Sequence, residues 1–587
     1  MKQIVILLAA VSLAACQPES NPEETAAEDI AATEMSPADA MNDVADRYYA
    51  WAMERAPEIA YFAAIDLERH DGLFDNSPQA QAAAEKVEDA FLAEVEAIDS
   101  AQLVGKPEWI AKAMLEQRLR ADVAQRVCRL ELWNISQMGG WHSGYSQIAM
   151  LQPVDTPELR EQALTRWAKF PAFVEQEIAN LKSGVEQGYT VPKSVTGRVI
   201  AQLDGLLALS TEESPFYSMA VRAEDEEFAV ALKELVETGI QPALQRARDY
   251  LQNDYLPAAR EELSITAIPN GRECYDALLF GYTTLDRPGE EVYELGQQTV
   301  AANKTGIIEL GRAAYETEDF DEILERAKND PADKFASAEE LLQFSKDMVA
   351  RAEEEMPNWV GTMPEQAVEV VPFEKHEEGT GRSAHYNPGN ADRPAEYRIP
   401  LATPDEEGRG NAEATAFHEA WPGHHLQVAT FQAVEGLHPV TRIIWFSGPG
   451  EGWARYSEAL AEEMGLYQST SGPILRRAWP ARGMVVDPGI HLFGWTREEA
   501  KAYMAESGRF PLSSGDEMVD RIAIIPGQLT AYDSGGLEIL ALRHQAEEAL
   551  GDDFDIREFH DRVLENGTIP LGALRQHVEA WIASKQQ

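Results

Sequence analysis

Apolar positions along this chain fall mostly at three- and four-residue intervals, and from about Pro37 to Arg351 that spacing predicts one helix after another. The stretch beginning at Thr156 shows the pattern most fully. Thr156-Pro157-Glu158 supplies an N-cap, a proline at the first helical position and an early carboxylate. Phe173, Val174, Ile178, Leu181 and Val185 then mark one apolar face. Breaks fall at Gly188, Pro192, Pro215-Phe216 and Pro288-Gly289, and no fixed-period repeat or low-complexity tract interrupts the body. Trp133, Trp141, His142 and Tyr145 lie in a glycine-containing stretch that reads either as a cleft wall or as aromatic packing beside a turn.

The strand signal is concentrated in Ala367 to Pro372, His385-Tyr386 and Glu396 to Leu401, with turn chemistry at Asn387-Pro388-Gly389-Asn390. The expected fold class is therefore mainly α with a small β-sheet. A helical N-terminal region is expected over 47–365, and a region carrying the chemistry over 366–587.

The N-terminus carries a different pattern. Lys2 and the apolar run Ile4 to Leu13 form the charged and hydrophobic parts of a signal peptide over 1–15, too short to span a bilayer. The run ends Leu13-Ala14-Ala15-Cys16, which resembles a bacterial lipobox and makes Cys16 the expected site of lipidation. Gln17 in place of Asp resembles the outer-membrane sorting pattern, so the expected location is the cell envelope, lipid-anchored. Residues 16–46 are acidic and alanine-rich, without Lys or Arg. Such a composition buries too little to fold alone, so it reads as a tether.

Composition narrows the partners. A formal net charge of -50 over 587 residues excludes an ordinary nucleic-acid binder, which needs a basic surface. Beyond Cys16 the cysteines are Cys128 and Cys274, compatible with one disulfide in an oxidising compartment or with two buried thiols.

The chemistry gathers in one stretch. Glu-Ala-Thr-Ala-Phe-His-Glu-Ala-Trp-Pro-Gly-His-His-Leu-Gln, from Glu413 to Gln427, puts His418, Glu419, His424 and His425 within eight positions. Four of the 12 histidines fall between His418 and His438. Imidazoles with a carboxylate are a zinc ligand set, and a His-Glu pair at its head suggests a metallohydrolase with Glu419 as general base. In the usual His-Glu-x-x-His form the histidines are four apart, but here that position is Pro422. On a straight helix His425 lies about 10 Å beyond His418, too far for one ion. A bulge at Pro422-Gly423 absorbing two residues brings in His424, and one absorbing three brings in His425. The smaller bulge favours His424. The alternative is a helix whose histidines cap and pack around the Pro-Gly break.

His-Glu-x-x-Pro-Gly-His-His followed by Glu-Gly-Trp-Ala-x-Tyr-x-Glu resembles the DUF885 family of bacterial lipoproteins, related to the helical gluzincin metallopeptidases. The resemblance is specific from about Ser383 to Arg543. It implies a helical shell around a central cleft, a single Zn2+ and a third ligand on a second helix, which Glu451 matches. Glu458, seven residues on, would orient a ligand histidine. His491 and Tyr532 match residues that stabilise the oxyanion in gluzincins, and Ala395 to Leu401 would be the sheet edge that pairs with a peptide substrate. Arg543 reads as a substrate-carboxylate anchor or a salt bridge.

The expected function is zinc-dependent hydrolysis of short peptides at the envelope, with amide bonds of peptidoglycan as an alternative substrate. A non-catalytic metal- or peptide-binding scaffold is the alternative from another class. Glu419 separates them, because a binder needs no base beside its ligands.

Overall fold

The computed structural model describes residues 35–63, 65–373, 383–390, 393–508, 512 and 515–586. Cys16 and most of the expected tether lie outside them. The tether was expected to reach residue 46, but helix α1 (Pro37–Arg55) already starts at Pro37. Met41, Val44, Ala45, Tyr48 and Ala52 are buried at helical spacing along it, so packing holds residues 37–46.

Helices α2 (Pro78–Ala97) and α3 (Pro107–Gln125) follow. The long helix α4 (Pro157–Gln187) forms where its signals predict. The Thr156 side chain accepts from Leu159 N–H, Pro157 opens the first turn, and Gly188 at φ 84° ends the helix. Its buried Trp167, Phe170 and Phe173 pack with Trp141 and Tyr145, whose rings meet Phe173 edge-on at 5.8 and 4.9 Å. The aromatic stretch is therefore packing, not cleft wall. Helix α5 (Gly271–Thr283) carries Cys274, which is disulfide-bonded to Cys128.

The buried side chains form two large clusters. One runs through residues 128–292 and takes in Ala481, Met484 and Ile524. The other joins α1 and α3 to residues beyond Phe335, including Tyr397, Phe417, Trp421 and Trp453. The expected division at 365/366 is thus not a boundary between cores, because the first helices and the chemistry-bearing region share one, and residues 37–587 form one compact unit.

The expected small sheet is present. Strands β1 (Val368–Pro372), β2 (His385–Asn387) and β3 (Ala395–Ile399) lie in the order β1-β3-β2. β3 pairs in parallel with β1 (Val370↔Tyr397) and antiparallel with β2 (Tyr386↔Tyr397). β3 therefore lies in the centre, and the segment expected as a substrate-pairing edge has both its edges taken. β1 and β2 are the edge strands, and β2 leads into the turn at Asn387 to Asn390. Beyond the sheet come α6 (Arg409–Glu419), α7 (His424–Gln432), α8 (Ser447–Glu463) and α9 (Ala531–Leu550), which together frame the candidate site. Among the described residues no helix is long and apolar enough to cross a membrane.

Candidate metal centre

The histidine stretch is not one bulged helix. α6 stops at Glu419, a turn at Ala420 to Gly423 containing a cis Trp421–Pro422 bond intervenes, and α7 starts afresh at His424. The physical reason lies in Pro422, which cannot continue the hydrogen-bond ladder, and in Gly423. A Cβ at Gly423 would lie 1.9 Å from the carbonyl oxygen of His418, so only glycine lets the new helix start this close to the old one. The Trp453 indole N–H, from α8, donates to the Pro422 and Gly423 carbonyls at 2.9 and 3.2 Å and holds the turn.

This turn brings His424 back beside His418, their rings edge-on with centroids 4.9 Å apart. Glu451, in the first turns of α8, completes the group. Its Oε2 lies 3.5 Å from His418 Nε2 and 3.4 Å from His424 Nε2, and one donor atom from each of the three residues falls within 4.8 Å of the others. His425 turns the other way. It is fully buried, its Nε2–H donates to the Gln366 carbonyl at 2.9 Å, its Nδ1 faces the Tyr386 hydroxyl at 3.3 Å, and burial pushes its pKa down to about 4.

Neighbouring residues fix the orientation of this set. His418 Nδ1–H donates to Glu458 Oε1 at 2.9 Å, which leaves Nε2 directed at Glu451 and His424. Glu458 in turn takes both its oxygens to Arg455 at 2.8 Å, and Arg455 Nε reaches Asp533 at 3.1 Å. Burial opposes charge on His418, but Glu451 and Glu458 outweigh it and lift its pKa to about 10. Burial likewise works against charge on Glu451, and His418 and His424 overcome it, holding that carboxyl well below the usual range. The donor set therefore favours positive charge at its centre. Two imidazole nitrogens and a carboxylate suit a divalent ion such as zinc, so the residues present fit the metal.

Glu419 lies beside these donors. Its Oε2 accepts the Tyr386 backbone N–H of β2 at 2.9 Å, and burial raises its pKa against the opposing pull of His418 and His424. Tyr532 stacks near His418 at a centroid distance of 6.4 Å, its pKa raised by burial and by Glu451. It arrives there because α8 and α9 approach through glycines. A Cβ on Gly452 would lie 2.5 Å from Gly535 Cα, and one on Gly535 would lie 1.9 Å from the Gly448 carbonyl.

His491 is not brought to the site as a donor. The Ile265 N–H donates to its Nδ1 at 3.1 Å and its own Nε2–H donates to the Ile522 carbonyl at 3.0 Å, so both nitrogens are spent on backbone. Burial lowers its pKa to about 3, and the ring serves to pin two distant segments. Arg543 is likewise occupied by Glu463 and Glu547, both at 2.8 Å, which makes it a salt bridge. Sequence reasoning missed Arg455, Asp533 and Tyr386. The three-residue spacing of Arg455 and Glu458 was an available signal, whereas nothing local pointed to the other two.

A family described as "Bacterial protein of unknown function (DUF885)" matches residues 57–578. The chain belongs to DUF885. The cluster, Glu419 and the sheet all lie inside the matched span. Two solved structures share the fold, each described as a "putative lipoprotein". The one from Colwellia psychrerythraea has 23% identity and a TM-score of 0.85, covering 94% of this chain and 100% of that one. The one from Shewanella oneidensis, described also as of unknown function, has 17% identity and a TM-score of 0.76, covering 92% and 99%. No curated protein matches this DUF885 chain.

Proposed function

We propose that this chain is a zinc-dependent peptidase of the bacterial cell envelope, with His418, His424 and Glu451 holding the ion and Glu419 as general base. The reading is carried by one observation. A half-buried carboxylate, fixed by the backbone N–H of an edge strand, stands beside two imidazoles and a glutamate whose donor atoms already converge.

A divalent ion in such a site supplies Lewis-acid polarisation of a carbonyl and lowers the pKa of water. Glu419 takes the proton of the attacking water and returns it to the leaving amine, and its raised pKa suits a group that must both accept and release. Glu458 keeps His418 Nε2 turned inward through Nδ1. In this reading the hydroxyl of Tyr532, whose ring stacks near His418, donates to the carbonyl oxygen as charge develops on it. β2 passes Glu419, so a peptide backbone pairing with this edge would be carried to the base. The helical-shell architecture of gluzincins belongs to the same proposal. So does lipid anchoring through Cys16 at the outer membrane, supported by the lipobox pattern and by the description of both solved structures as a "putative lipoprotein".

The test is digestion of a short-peptide library by wild type and Glu419→Gln, with metal measured on both. Wild type should cleave, while the variant keeps its metal and loses about 10²- to 10⁴-fold in rate. Equal cleavage by both would remove Glu419 from the reaction, and cleavage by neither would leave the scaffold reading.

A further inference from the structure

A second concavity, of about 370 Å³, is lined by none of His418, Glu419, His424 and Glu451. Its size lies within the range of small-molecule sites. Its walls carry Arg55, Arg118, Arg126 and Arg129 together with Glu85, Glu88, Asp122 and Glu131. In a chain with 50 basic and 100 acidic residues, this one-to-one balance is local, and it favours a ligand bearing both signs.

Three of the arginines are neutralised within the wall. Arg118 pairs with Asp122 at 2.8 Å, Arg126 with Glu88 at 3.0 Å and Arg129 with Glu131 at 2.7 Å. One group of each sign remains. Among the described residues Arg55 has no carboxylate at ion-pair distance; its Nη2 donates to Gln81 Oε1 at 2.8 Å and its guanidinium lies 4.9 Å over the Phe74 ring. Glu88 and Asp75 act on it only through space. Glu85 has no cationic partner for its carboxylate among the described residues, and only its backbone carbonyl accepts from Arg126.

Gln81 and Glu85 are one turn apart on α2, a Cβ separation of about 5–6 Å. The Arg55 head, tied to Gln81, therefore stands about one side-chain spacing from Glu85. That is the separation needed to hold the carboxylate and the ammonium of one α-amino acid. Trp51 and Tyr48, with centroids 5.6 Å apart, add an aromatic wall to the same concavity. We propose that the concavity binds a free α-amino acid with an apolar side chain, its carboxylate on Arg55, its ammonium on Glu85 and its side chain against Trp51.

Titration calorimetry of the full chain with L-phenylalanine tests this, because that probe has no peptide bond to cleave. Saturable binding is expected, weakened at least tenfold by Arg55→Gln and by Glu85→Gln and unchanged by His424→Ala. On wild-type protein alone, N-acetyl-L-phenylalanine and L-phenylalaninamide, each lacking one charge, should bind at least tenfold more weakly. No saturable heat with wild type, or derivatives that bind as well as the parent, would overturn the proposal. Binding retained in both charge variants or lost in His424→Ala would do the same.

Discussion

The replacement of Gly423 by alanine adds one methyl group at the turn on which the proposed metal site depends. In the folded chain that Cβ would lie 1.9 Å from the His418 carbonyl oxygen, 2.4 Å from the His418 carbonyl carbon and 2.4 Å from the Phe417 carbonyl oxygen. All three are backbone atoms of α6, so no side chain can swing aside. Ordinary contact begins at 3.4 Å, so the start of α7 and the end of α6 must part by more than 1 Å. Overpacking of this kind costs about 1–3 kcal/mol, and a backbone clash belongs at the upper end. Metal ligation tolerates only about 0.2 Å of displacement, so His424 should drop out of reach while the fold survives. Metal per chain and the thermal midpoint are measured for Gly423→Ala beside Gly205→Ala, whose new Cβ meets nothing within 4 Å. The control should hold metal and be neutral or stabilised by up to about 1 kcal/mol, since alanine suits a helix interior better than glycine. A Gly423→Ala protein that binds metal and melts like wild type would refute the idea that this close approach sets the ligand geometry.

Two further outcomes concern stability. Replacing Cys128 and Cys274 by serine opens a loop with a sequence separation of 146 residues. The chain-entropy model puts the cost at about 5 kcal/mol, and an unchanged denaturation midpoint would contradict a bridged native state. Buried Glu177, held by Asn76 and Asn134 at 2.7 and 2.9 Å, has its pKa raised to about 7 by burial. A carboxyl that keeps its proton better when folded contributes stability that is full below pH 4.5 and is lost as pH rises towards 7, about 3 kcal/mol in all. Denaturation at pH 5 to 8 should show wild type losing that margin relative to Glu177→Gln, and parallel curves would show that Glu177 does not titrate there.

The helices and the three strands were legible because apolar spacing and turn residues are local signals. His418, Glu419 and His424 were legible for the same reason, since they stand with Pro422 and Gly423 within a few positions of one another, whereas Glu451 lies on another helix and entered only through the family resemblance. What stayed hidden depends on distant partners. Strand alternation locates β3 but carries no pairing order, so a central strand was taken for an edge. His491 looked free because the Ile265 and Ile522 backbone groups that occupy it are far away in sequence. The break between α6 and α7 was read as a bulge. A proline shows that a helix is interrupted, but only the contact of Gly423 with the His418 carbonyl shows that it starts again.

The central claim is that His418, His424 and Glu451 are the metal ligands, and metal stoichiometry in single variants tests it most directly. Wild-type protein should carry one zinc per chain. His424→Ala and Glu451→Ala should be empty, and His425→Ala should remain loaded with affinity reduced by no more than about 100-fold. Wild type without metal, or a loaded His424→Ala beside an empty His425→Ala, would contradict the account.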